Sequence, residues 1–176
     1  DGAMGFWAAM DEVYPTARQQ RCWQHKTMNV LNCLPKLSQP KAKAAIHNIW
    51  QAETKDHAEK AFDLFIKIYE PKYPKAALCL QKDRVELMAF FDFPAQHWQS
   101  IRTSNPIESA FATIRTVPNA EGLPVARWHA AQDIQIGTIA EQNWRKLRGF
   151  DYLAKVITDI RFKDGIETTN FDQIAA

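Results

Sequence analysis

The chain has 176 residues, 46% hydrophobic and 24% charged, enough for one folded domain or two small ones and too apolar for extended disorder. No apolar run approaches the roughly 20 residues of a membrane helix, and no basic-then-apolar leader opens the chain, so neither a membrane span nor a secretory signal is expected. Three scattered cysteines (Cys22, Cys33, Cys79) make no disulfide framework and fit a reducing cytoplasm, and a net charge of +2 neither demands nor forbids a nucleic-acid partner.

In chain order, Asp1-Gly2 reads as a turn or a carboxylate at a strand end. Arg18–Trp23, after the turn Tyr14-Pro15-Thr16, is the best short strand. Lys26–Leu34 is a short helix stopped by Pro35. Ala42, Ala45, Ile46, Ile49 and Trp50 fall at helical spacing, and so do Ala58, Ala61, Phe62, Phe65, Ile66 and Tyr69. Pro40 suits the first turn of the former helix, and Thr54 can cap the latter. Pro74–Leu80 and Asp83–Phe91 add two helices. Asn105–Arg115 is a further helix, with Ile107, Phe111 and Ile114 on its apolar face. Val117–Pro124 is a loop, Leu153, Val156, Ile157 and Ile160 mark a last helix, and the pattern fades into a tail beyond Gly165.

Four groups of residues carry chemistry. In Asn105-Pro106-Ile107-Glu108, Asn is a good N-cap, Pro fits N1, and Glu at N3 can close a capping box. The same carboxylate, at the start of a rigid helix, suits a divalent metal. Cys22-Trp23-Gln24-His25 offers two soft ligands where a structural zinc needs four, so a buried Cys and a structural His at a strand-to-helix junction are expected instead. Arg115, two helical turns after Glu108, shares its face and suits a phosphate. Trp98 is core by default, or a platform for an unpaired base.

Five blocks occur in order: Asp1-Gly2-Ala3-Met4-Gly5-Phe6-Trp7, Gln20-Arg21-Cys22-Trp23-Gln24-His25-Lys26, Tyr73-Pro74-Lys75-Ala76, Phe91-Asp92-Phe93-Pro94-Ala95-Gln96-His97-Trp98 and Arg102-Thr103-Ser104-Asn105-Pro106-Ile107-Glu108-Ser109. Together they closely resemble the C-terminal half of Mutator-type bacterial insertion-sequence transposases, well over residues 1–116 and more loosely over 140–163. The resemblance implies a ribonuclease-H-like core in which two Asp and one Glu, the DDE triad, hold two Mg²⁺ (or Mn²⁺) ions. It assigns the second Asp to Asp1 and the Glu to Glu108, and leaves the first Asp upstream. It also makes Cys22 and His25 the family's C-x-x-H signature before a helical insertion. Arg115 becomes the basic residue after the Glu, and Trp98 a DNA-contacting Trp. The stretch 116–124 departs from the family's basic, Gly-containing segment.

The expected fold is therefore mostly α: a partial ribonuclease-H-like α/β core, with the second Asp at a strand end, one short strand and the Glu helix, interrupted by an α-helical insertion. Residues 1–25 belong to the core, 26–100 to the insertion, 101–165 to the returning core and 166–176 to a tail. The expected activity is that of a DDE transposase, metal-dependent DNA strand cleavage and strand transfer, with this fragment inactive alone. Its partners would be transposon-end and target DNA and, in the parent, further copies of itself, at the bacterial nucleoid. The rival reading is a non-enzymatic α-helical interaction module derived from a decayed transposase.

Overall fold

The computed structural model describes residues 4–105, 108–109 and 146–168. These are mostly helical, as expected. Helix α1 spans Met4–Val13, α2 Trp23–Asn32, α3 Gln39–Trp50, α4 Lys55–Tyr69, α5 Pro74–Gln81, α6 Arg84–Met88 and α7 Trp98–Ile101. Single 3₁₀ turns cover Lys36–Ser38, Ala89–Asp92, Ala95–His97 and Phe150–Tyr152. Helix α8 (Leu153–Ile157) leads into a two-stranded antiparallel sheet of β1 (Phe162–Lys163) and β2 (Ile166–Glu167). Among the described residues no helix is long and apolar enough to cross a membrane.

The two periodic stripes become the centre of the core. Ala42, Ile46 and Ile49 of α3 pack with Ala58, Phe62 and Phe65 of α4, all at 0–1% exposure. The short 51–54 connection turns between them, and Thr54 caps α4 by accepting the His57 N–H at 3.3 Å. Pro40 lies in the first turn of α3 and Pro74 in that of α5, where a missing N–H costs nothing. Helix α2 lays Val30 and Leu31 into the same core, and Trp23, Leu87, Phe90 and Phe91 close one end of it.

One buried charge fastens α2. Lys26 is 1% exposed; its ammonium pairs with Asp83 and donates to the Cys79 carbonyl at 3.0 Å. Arg21 adds a second cation to Asp83 at 3.0 Å. Burial pushes the Asp83 carboxyl up, but Lys26 and Arg21 outweigh it and hold the group below the usual carboxylate range.

The expected strand over Arg18–Trp23 does not form, so the strand of the expected core is absent there. The segment runs into α2, and its amides bond to helix ends: Arg21 N–H to the Glu86 carbonyl at 3.0 Å, Trp23 N–H to the Arg102 carbonyl at 2.9 Å. With those donors spent on helix ends, no ladder remains to be built. The described residues hold one sheet, β1–β2; β1 follows the expected last helix and β2 lies where the pattern was expected to fade into a tail. Asp164 and Gly165 sit at φ 52° and 79°, the two positive values of a tight type I′ hairpin turn. The tail thus begins no earlier than Thr168, whose N–H still bonds to the Arg161 carbonyl at 3.0 Å. The last helix ends at Ile157, before Ile160, because Asp159 turns left-handed at φ 59°.

This C-terminal segment clasps the turns before α7. Ala95 N–H donates to the Gly165 carbonyl at 3.1 Å, and Gly165 N–H to the Phe91 carbonyl at 3.2 Å. Asp164 accepts the Lys55 N–H at 2.6 Å. Buried His97 lies 2.9 Å by its Nε2 from the Gly149 carbonyl and meets Tyr152 edge-on.

Candidate functional site

Cys22 is the N-cap residue of α2, with extended backbone (φ −67°, ψ 116°) and a carbonyl that accepts the Lys26 N–H at 3.0 Å. His25 follows in the first turn, so a spacing of three residues sets both side chains on one face. The His25 Nδ1 lies 3.2 Å from the Cys22 sulfur. The expected buried Cys and neighbouring His are thus present, at a loop-to-helix rather than a strand-to-helix junction.

A segment far along the chain completes the group. Trp23 N–H bonds to the Arg102 carbonyl, which carries residues 102–104 across the start of α2. Arg102 is itself held by Trp50: its guanidinium lies 4.6 Å from the ring centroid and donates to the Trp50 carbonyl at 2.8 Å. Ser104 then places its N–H and its hydroxyl each 3.3 Å from the Cys22 sulfur. The same hydroxyl is 3.3 Å from His25 Nδ1 and donates to Glu108 Oε1. His25 Nδ1 and Glu108 Oε1 stand 3.6 Å apart.

Ser104, not Asn105, caps the helix of Glu108. Glu108 N–H donates to the Ser104 carbonyl at 3.0 Å, the first intrahelical bond, and helical structure begins at Asn105, which is exposed. The expected Asn105–Glu108 capping box is therefore replaced. Glu108 falls one position later, its carboxylate meets the Ser104 side chain, and the cap N–H is taken by Cys22. Ser and Asn cap about equally well, so the tertiary contact to Cys22 selects between them.

The Cys22 thiol is lowered from 9.0 to about 7. Burial works to raise it; the His25 amide, the Ser104 hydroxyl and amide and the His25 ring together outweigh burial. Glu108 remains accessible, with half its side chain, 51%, exposed. Its hard carboxylate oxygens suit Mg²⁺, whereas the Cys22 sulfur and His25 nitrogen beside it are soft donors that suit it poorly. Among the described residues no three His, Cys, Asp or Glu side chains are grouped to hold a metal ion.

Trp98 is half-buried. Its ring meets Phe90 and Phe91 edge-on at 5.3 and 5.0 Å, and its Nε1–H donates to the Phe93 carbonyl at 2.8 Å. It belongs to the margin of the core and sits in α7, immediately before the 102–104 segment. Asp1 and Arg115 lie outside the described residues, as do the remainder of the expected Asn105–Arg115 helix and the expected loop at 117–124.

Ser104 and Arg102, residues of the fifth sequence block, join the site only through the fold. The spacing of four between Ser104 and Glu108 was a legible signal, since it sets the two on one helix face. The approach of Ser104 to Cys22 has no local signal at all.

Residues 1–124 match the family model described as "Transposase, Mutator family". The chain is 49% identical over 167 residues to the transposase for insertion sequence element IST2 of Acidithiobacillus ferrooxidans, covering 94% of this chain and 56% of that protein. It is 50% identical over 115 residues to the transposase for IS6120 of Mycolicibacterium smegmatis, 65% of this chain and 36% of that protein. Against the transposase for IS1081 of Mycobacterium tuberculosis it is 29% identical over 164 residues, 92% of this chain and 39% of that protein. The chain spans about half the length, or less, of these curated relatives. Residues 1–124 hold the five sequence blocks, with Cys22, His25 and Glu108 among them, and the match over that span shows that the chain belongs to the Mutator family of transposases.

Proposed function

We propose that this chain is the part of a DDE transposase that supplies the catalytic Glu, Glu108, and the second Asp, Asp1. The observation that carries the reading is the Glu108 carboxylate itself. It is half exposed, yet tied at Oε1 to Ser104, which is itself held against the buried Cys22 and the half-buried His25. A solvated helix charge would have no such anchor. The relatives are named as transposases for insertion sequence elements, which supports transposon-end and target DNA as the substrates.

In this reading Asp1 and Glu108 belong to a ribonuclease-H-like core, and the helices between them form an insertion. Two Mg²⁺ (or Mn²⁺) ions would supply polarisation of the scissile phosphate and activation of the attacking water or 3′-hydroxyl. The chain's own part is to hold Glu108 as a hard, charged oxygen donor facing solvent. Trp98 contributes a partly open ring margin for an unpaired base beside the cut, and Arg115 a cation for phosphate. A first Asp must come from a preceding segment, so the 176 residues alone are inactive in strand transfer.

The test is Glu108→Gln in the full-length protein. Gln keeps an acceptor for the Ser104 hydroxyl but lacks the charge. Strand transfer with a transposon-end oligonucleotide is expected to be lost while the thermal midpoint is nearly kept. Near-normal transfer by Glu108→Gln would overturn the assignment and leave Glu108 a helix-start residue only.

A further inference from the structure

Ser104 is the one residue within hydrogen-bond distance of every other member of the group: Cys22 twice, His25 once and Glu108 once, whereas His25 stands 3.6 Å from Glu108. Its hydroxyl has a single proton. The carboxylate is the strongest acceptor within reach, so the proton goes to Glu108, in a charge-assisted bond. The Cys22 sulfur is then held by the Ser104 backbone N–H, and the hydroxyl lone pairs face His25.

The hydroxyl is therefore spent on the carboxylate. Glu108 is on the surface and has three side-chain torsions to lose on meeting a cation. Tied at Oε1 to a residue that is anchored to a 5%-exposed cysteine, it loses them in advance. Partners that orient a ligating carboxylate from behind act on metal affinity in this way.

We infer that Ser104 is a positioning residue: it carries the rigidity of the Cys22–His25 pair to Glu108 and so presets the carboxylate that binds the divalent ion. This rests on the reading of Glu108 as a ligand. It also gives the C-x-x-H pair a task that needs no metal of its own.

The experiment is titration of the full-length protein with Mn²⁺ alone, followed by the electron-paramagnetic-resonance signal of the free ion, with melting midpoints recorded in parallel without metal. Ser104→Ala is expected to weaken Mn²⁺ binding roughly 10-fold or more, and Ser104→Thr, which keeps the hydroxyl, to restore it. Cys22→Ala, which removes the anchor and leaves Ser104 in place, is expected to weaken binding in the same direction; it serves if Ser104→Ala fails to fold. Wild-type Mn²⁺ affinity in a folded Ser104→Ala protein, even one with a lower midpoint, would overturn the inference and leave Ser104 a structural cap. Glu108→Gln separates the two readings. If it loses Mn²⁺ while Ser104→Ala does not, only this inference falls. If it binds Mn²⁺ as the wild type does, Glu108 is no ligand and both fall.

Discussion

The Cys22 sulfur and the Ser104 hydroxyl, 82 residues apart in sequence, lie 3.3 Å from one another. This contact joins the start of α2 to the start of the Glu108 helix, two helix N-termini that share one set of side chains. It turns a two-residue signature and a lone carboxylate into a single site.

The His25 amide foremost, with Ser104 and the His25 ring, makes Cys22 an acidic thiol. With a folded value of about 7 against 9.0 for an ordinary cysteine, its alkylation by iodoacetamide, followed peptide by peptide, should climb as pH rises through about 7. Because the folded value is the depressed one, the stability it contributes is full above pH 9 and fades as pH falls through about 7. Melting midpoints should therefore rise more between pH 7 and 9 in the wild type than in Cys22→Ser.

Asp83 is expected to be among the costliest single positions. Asp83→Ala leaves the 1%-exposed Lys26 ammonium unpaired, a loss of about 3–5 kcal/mol in urea unfolding. Replacing the pair together, Lys26→Met with Asp83→Leu, should cost less, since the fully buried ammonium is no longer stranded and only Arg21 loses its partner. Since the Asp83 carboxyl is depressed in the fold, its contribution is present at neutral pH and disappears as the solution is acidified through its lowered value.

Gly165→Ala should loosen the C-terminal clasp. The position has φ 79°, and an added Cβ would fall 2.6 Å from the Ala95 Cβ and 2.9 Å from its backbone N. The left-handed backbone alone costs about 1–2 kcal/mol, and the clash works against the Ala95–Gly165–Phe91 hydrogen bonds. Faster amide exchange at Ala95 and Gly165, with little change at Ile46 or Phe62, is the expected pattern.

Trp98 serves both the core margin and, in the proposed function, DNA. Trp98→Leu keeps apolar bulk against Phe90 and Phe91 but removes the aromatic face and the Nε1 donor to Phe93. Binding to a transposon end with an unpaired base should weaken by about 1–3 kcal/mol. Binding to a fully paired duplex should stay nearly unchanged. Equal losses on both, measured by fluorescence anisotropy, would confine Trp98 to a packing role.

Much of the helical scaffold was legible from local chemistry. The stripes of α3 and α4 emerged because burial on one face imposes a 3.6-residue period whatever the partner is. Thr54, Pro40 and Pro74 sit where predicted, because caps and first turns are satisfied within a few residues of chain. The blocks that carry the family resemblance were equally present in the residues. Asp164-Gly165 is a hairpin dipeptide, but strands of two residues each leave no alternating pattern around it. Other features could not be read locally. Arg18–Trp23 has strand-like residues, but Glu86 and Arg102 take its amides. Ser104 and Asn105 are near-equal caps, and only the thiol of Cys22, brought in from α2, selects the first. The site formed where long-range contacts decided between local choices of nearly equal energy, and sequence periodicity carries no record of such contacts.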